Sequence, residues 1–316
     1  VKKIKRYEKK IEMMESGKYV VPVTCELDLS NRCQLNCGFC FYKKRRVNGE
    51  ELRFGFISSL LEEFERIGVK SITLTGGGEP LMYDRINEVV RIANARGIEL
   101  GLVTNGVALD RLENPSIFKF IRVSLDASRP NLYRMVKGVD HFHKVVYNIY
   151  QCLEKGAYLG LSYVVYGMNE DDIESAIRLA ELIGVEYIQF KPAWINGRNH
   201  VISSKAVKVL KENGHSIYTN RLVERDQKAC TIAGLVGIVC ADGGVYYCCQ
   251  HRGVKGFRLG SIYTGTFQDA WKRRGEIEVD VNHCPHCRYM NYVADLKEES
   301  FNGDTKIDSK RHIHFL

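Results

Sequence analysis

The feature that most constrains this chain is a repeated alternation. Between residues 23 and 192 lie six short runs rich in β-branched and aromatic side chains: "VTCELDL" (23–29), "SITLT" (71–75), "ELGLVT" (99–104), "FIRVSL" (120–125), "YLGLSYVV" (158–165) and "YIQF" (187–190). Amphipathic stretches such as "GEELRFGFISSLLEEFERIG" and "EDDIESAIRLAELIG" separate them. In the second of these, Ile173, Ile177, Leu179 and Leu182 read as one face, with Gly184 as the stop. Strand and helix alternating in this way specify β/α units around a parallel sheet. Six units give an α/β fold, an open, partial (β/α)6 barrel, with chemistry at the C-terminal ends of the strands.

At 316 residues and 45% apolar, the chain is long enough for one large domain and a smaller one. After "KPAWINGRNH" the pattern changes to a helix near 204–213 and then a cysteine- and glycine-rich region from Cys230 to Cys287. This suggests a basic N-terminal helix or extension over 1–22, the partial barrel over 23–195, a small α+β domain over 196–295, and a loose tail over 296–316. No run of 18 apolar residues exists, and the charged N-terminus lacks the apolar core of a secretory signal, so a soluble, cytoplasmic protein with no membrane role is expected. A net charge of +8 favours anionic partners without demanding nucleic acid, which stays possible. Eleven cysteines in so long and regular a chain read as thiolates for metal rather than as a disulfide scaffold.

Three of them, Cys33, Cys37 and Cys40, form C-x3-C-x2-C directly after the first strand. Thiolates so closely spaced can converge on one iron–sulfur cluster. The alternatives are a zinc site, which would want a fourth ligand that the next residues lack, or three buried core cysteines. The triplet, with Phe39 before its last cysteine, strongly resembles the defining motif of the radical S-adenosylmethionine (SAM) superfamily. The resemblance implies a four-iron cluster with one open iron that chelates the amine and carboxylate of SAM. Reductive cleavage of SAM then gives methionine and a 5′-deoxyadenosyl radical, which takes a hydrogen atom from substrate.

Later segments resemble the same family's SAM-binding positions. "TGGGEPL" after the second strand matches the motif that meets the methionine amine, through Gly77, Gly78 and Glu79, with Gly76 leaving the register open by one. "TNG" after the third strand brings Asn105, and "SLDA" after the fourth brings Ser124 and Asp126, toward the SAM carboxylate and ribose. Each alone also reads as turn chemistry. "YVVYGMNEDD" stands where family members approach adenine, with Tyr166 as the contact and Asn169 read as a helix cap.

Beyond residue 229, Cys230, Gly243 and Cys248 fit C-x12-G-x4-C, and Cys284 and Cys287 form C-x2-C. This resembles the SPASM/twitch extension of radical SAM enzymes, and it implies that the small domain is of the twitch type and holds one auxiliary four-iron cluster. The cofactors implied are therefore SAM and two 4Fe-4S clusters. Without the resemblance, a four-cysteine zinc site fits as well. Gly244 with Cys249 satisfies the same spacing, although Cys248 is preferred as ligand. Cys240 and the spare member of the adjacent pair, Cys249, are candidate hydrogen-atom donors or simply buried residues.

Gln189 and Lys191, ending the sixth strand, and Arg45, in the basic run Lys43 to Arg46, are candidate substrate contacts; the run reads equally as solvated surface or as a dock for an acidic reductase such as flavodoxin or ferredoxin. Taken together, the sequence predicts a radical SAM enzyme acting on a small, anionic or nucleotide-like substrate by oxidation, rearrangement or epimerisation. The alternatives are a ribosomal-peptide maturase and a non-catalytic metal-binding, nucleic-acid-binding module.

Overall fold

The computed structural model describes residues 3–43, 49–195, 198–215, 228–280, 284, 287–297 and 314–316. Six parallel strands form in the expected places: β1 (Thr24–Asp28), β2 (Ser71–Thr75), β3 (Glu99–Thr104), β4 (Phe120–Ser124), β5 (Leu159–Val165) and β6 (Tyr187–Pro192). They pair in sequence order, and the sheet does not close.

After a first helix, α1 (Glu8–Glu15), the barrel helices are α2 (Phe54–Ile67), α3 (Ile86–Ala95), α4 (Pro130–Lys137), α5 (Phe142–Glu154) and α6 (Ile173–Ile183). Their inward faces follow the helical period, as Ile57, Leu60, Leu61 and Phe64 do on α2. On α6 the buried face is Ile173, Ala176, Ile177, Ala180 and Ile183, whereas Leu182 is 78% exposed. Of the expected face, Ile173 and Ile177 are buried and Leu179 is half-buried, but Leu182 points to solvent and small alanines complete the face instead.

The C-terminal region adds to the same sheet. After the short ladder of β7 (Trp194–Ile195) with β8 (Arg198–Asn199) and the helices α7 (Ser204–Glu212) and α8 (Lys228–Ala233), β9 (Val236–Val239) pairs parallel with β1. β10 (Gly244–Tyr246) and β11 (Arg258–Ser261) follow antiparallel, giving the order β11-β10-β9-β1-β2-β3-β4-β5-β6. Helices α9 (Phe267–Lys272) and α10 (Met290–Leu296) complete the chain. No helix of the described residues is long and apolar enough to cross a membrane.

The strands alternate in character. Cys25, Leu27, Ile72, Leu74, Leu100, Leu102, Ile121, Val123, Leu159 and Leu161 face the helices in one apolar layer. Residues of opposite parity in the same strands, such as Glu26, Asp28, Thr73, Arg122, Ser124, Ser162 and Gln189, form a polar interior face. Aromatic residues floor it at the N-terminal ends of the strands, where Phe120, Tyr158, Tyr187 and Phe315 cluster. Phe315 meets Phe120 edge-on at 5.1 Å, and the Ser71 hydroxyl donates to the His314 carbonyl at 2.6 Å. Residues 314–316 are therefore docked under the barrel rather than loose.

Candidate active site

The triplet loop leaves β1 at the C-terminal end of the sheet, with Cys33, Cys37 and Cys40 each partly exposed. Two devices shape it. The Asn36 amide donates to the Lys137 carbonyl at 2.9 Å and the Gly38 amide to the Val136 carbonyl at 3.4 Å, so the end of α4 anchors the loop. Gly138 ends that helix at φ +77°, and a Cβ there would lie 3.1 Å from the Asn36 backbone oxygen. On the other side, the Gly78 amide donates to the Ser30 carbonyl at 3.2 Å and the Glu79 amide to the Arg32 carbonyl at 2.7 Å. A Cβ on Gly78 would fall 2.3 Å from the Arg32 oxygen, so glycine here is demanded by the close approach of two backbones.

Glu79 is buried, and burial raises its carboxyl above the usual range despite the donors around it. Its oxygens accept from the Thr104 hydroxyl at 2.6 Å, the Asn105 amide at 2.7 Å and the Leu81 amide at 3.1 Å. It thus ties the loop after β2 to the loop after β3. The Asn105 side chain reaches the Cys33 sulfur at 3.8 Å and Gln34 at 3.2 Å, placing it against the triplet.

Asp126 also turns inward. It is fully buried in the left-handed region at φ +60°, with one oxygen on the Lys137 ammonium and the other accepting from the Val164 amide at 2.6 Å. Each oxygen thus has one partner within the chain, and Ser124 stands half-buried at the end of β4. Burial opposes the charge on Lys137, but attraction to Asp126 and then Cys37 outweighs it and lifts the ammonium above its ordinary value. The same ammonium lies 5.6 Å from the Phe39 ring centre, and Phe39 meets Tyr166 edge-on at 5.4 Å. Phe39 and Tyr166 are thus brought together. Asn169 does not cap the following helix; its amide group accepts from the Tyr166 amide and donates to the Asp126 and Val164 carbonyls, fastening two loops.

On the interior face, a charged network that sequence reasoning missed runs from the triplet loop toward the later cysteines. Arg252 pairs with Glu26, lies 3.1 Å from Asp28, and donates to the Tyr42 hydroxyl at 2.9 Å. Tyr42 in turn donates to the Cys249 carbonyl at 3.2 Å, and Arg288 pairs with Glu26 at 2.5 Å. Burial alone would raise Glu26, but Arg288 and Arg252 together pull it down to about 2. For Asp28, burial prevails over Arg252 and pushes the carboxyl up to about 6. The available signal was the period of two in "TCELD", which puts Glu26 and Asp28 on one side and Cys25 and Leu27 on the other.

Cys240, at the end of β9, is buried against Asp28, to which its thiol hydrogen-bonds. Among the later cysteines, Cys230, Cys284 and Cys287 lie near enough to influence one another electrostatically, and Cys249 acts on Cys287 as well. Cys248 contacts the His251 ring nitrogen Nδ1 at 3.2 Å. The hydrogen bond from Cys248 outweighs burial at Cys249 and, with Arg288 nearby, draws its thiol below the ordinary value. Both adjacent thiols are thus beside the set. Cys230, Cys284 and Cys287 are partly exposed like the triplet, while Cys248 and Cys249 are buried; soft donors of this kind suit iron–sulfur clusters. Gln189 and Lys191 stand on the interior face of β6, Gln189 buried and Lys191 half-buried. Arg45 lies outside the described residues; Lys43, at the start of its run, bonds back to the Asn36 side chain.

Comparison with known proteins agrees with this arrangement. A family model described as the radical SAM superfamily matches residues 27–180. GTP 3′,8-cyclase of Clostridium perfringens (strain 13 / Type A) is 27% identical over 289 residues, covering 88% of this chain and 84% of that protein. A probable GTP 3′,8-cyclase of Pyrococcus abyssi is 30% identical over 166 residues, covering 50% of this chain and 53% of that protein. Among solved structures, Streptococcus suis SuiB bound to S-adenosylmethionine superposes with a TM-score of 0.62 at 14% identity, over 84% of this chain and 68% of that one. Native anSMEcpe with bound AdoMet gives 0.61 at 17%, over 93% and 96%. At these identities the two structures speak for the fold. With the triplet after β1, the glycine-rich loop after β2 and the open six-strand barrel all inside or beside the matched span, the chain belongs to the radical SAM superfamily.

Proposed function

We propose that this radical SAM enzyme abstracts a hydrogen atom from a small anionic substrate of the nucleoside-phosphate class. The observation that carries the reading is the 27% identity, extending over 88% of the chain, to relatives named GTP 3′,8-cyclase. The polar interior face supports it, because its charged and hydroxyl side chains suit a polar molecule better than an apolar one. SAM and 4Fe-4S clusters are the superfamily's cofactors, and the two cysteine sets fit two clusters, Cys33, Cys37 and Cys40 holding the one that supplies the electron for SAM cleavage.

The chain's own residues then orient and enclose. Gly77 and Gly78 bring backbone to the edge of the triplet site, Asn105 lies against Cys33, and Phe39 and Tyr166 form an apolar wall beside it. Cys230, Cys284 and Cys287, with Cys248 or Cys249, would hold the second cluster on the far side of the Glu26–Arg252–Arg288 network. An acidic one-electron donor such as flavodoxin or ferredoxin is the partner we assign, from the net charge of +8.

The test is anaerobic reconstitution with dithionite and SAM, scoring 5′-deoxyadenosine. GTP or a related nucleotide should raise its formation above the substrate-free level, and ring-deuterated nucleotide should pass deuterium into it. Deuterium arriving from a peptide instead, with every nucleoside phosphate inert, refutes the reading.

A further inference from the structure

Among the described residues, the interior face carries three arginines, and they are not equivalent. Arg252 and Arg288 are each neutralised by Glu26, and Arg252 also by Asp28. Arg122, at the centre of β4, has no carboxylate partner among the described residues. Its guanidinium is held by one neutral contact, Nη1 donating to the Gln189 side-chain oxygen at 3.2 Å, while its Nε is buried with no acceptor.

Its surroundings are those of a site rather than of a surface. Register places Ser124 and Ser162 side by side, with Gln189 next across the sheet, one layer above Arg122. The Ser162 hydroxyl is fully buried on that face and has no hydrogen-bond partner. Below, the rings of Phe120, Tyr158, Tyr187 and Phe315 close the floor, with Arg122 6.0 Å from the Phe120 ring centre. A fixed guanidinium and an idle hydroxyl therefore share a compartment closed below. Arg122 is half-buried with its Nε enclosed, where a charge without a counterion is penalised, and leaving the buried Ser162 hydroxyl unpaired is costly. One oxyanion would relieve both, since a guanidinium offers a planar fork of donors and a serine hydroxyl one more.

We propose that Arg122, oriented by Gln189 and assisted by Ser162, is an anion-binding subsite inside the barrel that receives an oxyanion of the substrate. Resting on the function proposed above, that oxyanion is a phosphate of a nucleotide. Arg122 is the substrate anchor; Gln189 is a positioning residue, acting through the guanidinium it holds.

The experiment is anaerobic calorimetry on the reconstituted holoenzyme, with pyrophosphate, malonate, GTP and guanosine as probes. The wild type and the variants Arg122→Gln and Arg122→Lys are compared after thermal unfolding has shown each to be folded. Pyrophosphate should bind the wild type, at least tenfold more weakly the glutamine variant, and with intermediate strength the lysine variant. GTP should follow pyrophosphate, while guanosine should bind all three alike. Malonate binding that is lost in Arg122→Gln, with pyrophosphate and GTP inert, upholds the anion subsite and removes the nucleotide reading. Equal affinities in wild type and Arg122→Gln, or no binding of either pyrophosphate or malonate to the wild type, overturns the subsite.

Discussion

Replacing Lys137 by methionine keeps much of the side chain's length and removes its charge, leaving Asp126 fully buried without a counterion. Of the two carboxylate oxygens, one keeps the Val164 amide at 2.6 Å, and the other loses its ion-pair partner. Breaking a buried pair from one side costs about 3–5 kcal/mol, because the orphaned charge stays behind. With a urea dependence of about 3 kcal/mol per molar, the upper end of the range for small proteins, the unfolding midpoint should fall by about 1–1.7 M. Against burial, attraction to Asp126 raises Lys137 above its ordinary value, so the ammonium's own contribution is complete below pH 10.5 and is lost as the solution becomes more alkaline. The difference between wild type and variant should therefore be flat from pH 6 to 9. Adding Asp126→Asn to the variant should recover more than half of the loss, since no buried charge then remains. Anaerobic urea titrations of the apoprotein read all three quantities. A midpoint shift of less than about 0.3 M for Lys137→Met, or no recovery in the double variant, would refute the reasoning.

Two further outcomes follow from the same interior. Asp28 is lifted from 3.8 to about 6 by burial, so the fold favours its protonated form, and that contribution is full below pH 4 and disappears as the pH rises through 6. Asp28→Asn, which mimics the neutral acid, should match wild type near pH 4 and exceed it at pH 8 by up to ~3 kcal/mol in urea titrations; an asparagine variant no more stable than wild type at pH 8 counts against this assignment. Of the adjacent thiols, only the cluster ligand should matter for iron. One of Cys248→Ser and Cys249→Ser should therefore halve the iron content after anaerobic reconstitution while the other keeps it, and identical losses in both would contradict a single ligand from the pair.

The barrel was legible because its signals are local. Each strand from β1 to β6 is a short β-branched run, and each lies within two residues of its expected limits. The α6 face was misread because Ala176 and Ala180 do more of the burying than Leu182, and hydrophobicity alone ranks them the other way. Pairings across long separations were not legible at all. Nothing in "SLDA" announces that Asp126 meets Lys137, or in "HRGVKG" that Arg252 reaches back to Glu26. Of the site, motif spacing singled out the three thiols, the glycine-rich loop and Asn105; the glycine-rich loop packs on the start of the triplet loop, and Asn105 reaches Cys33. Spacing did not show that Glu79 and Asp126 also join the chain's own loops, since their partners lie 25 to 38 residues away.

The parallel pairing of β9 with β1 sets an order of assembly. Until the later strand arrives, the first one is an edge, with a row of unpaired backbone groups directly below the triplet loop. About 200 residues separate the two strands, which at about 5–20 residues per second is about 10–40 s of synthesis. During that interval the Arg252 partner of Glu26 and Asp28 does not exist either, so two buried carboxylates wait side by side in solvent. The nascent chain thus carries the triplet cysteines through that whole wait, and the interior beside them can be completed only at the end of folding rather than at its beginning.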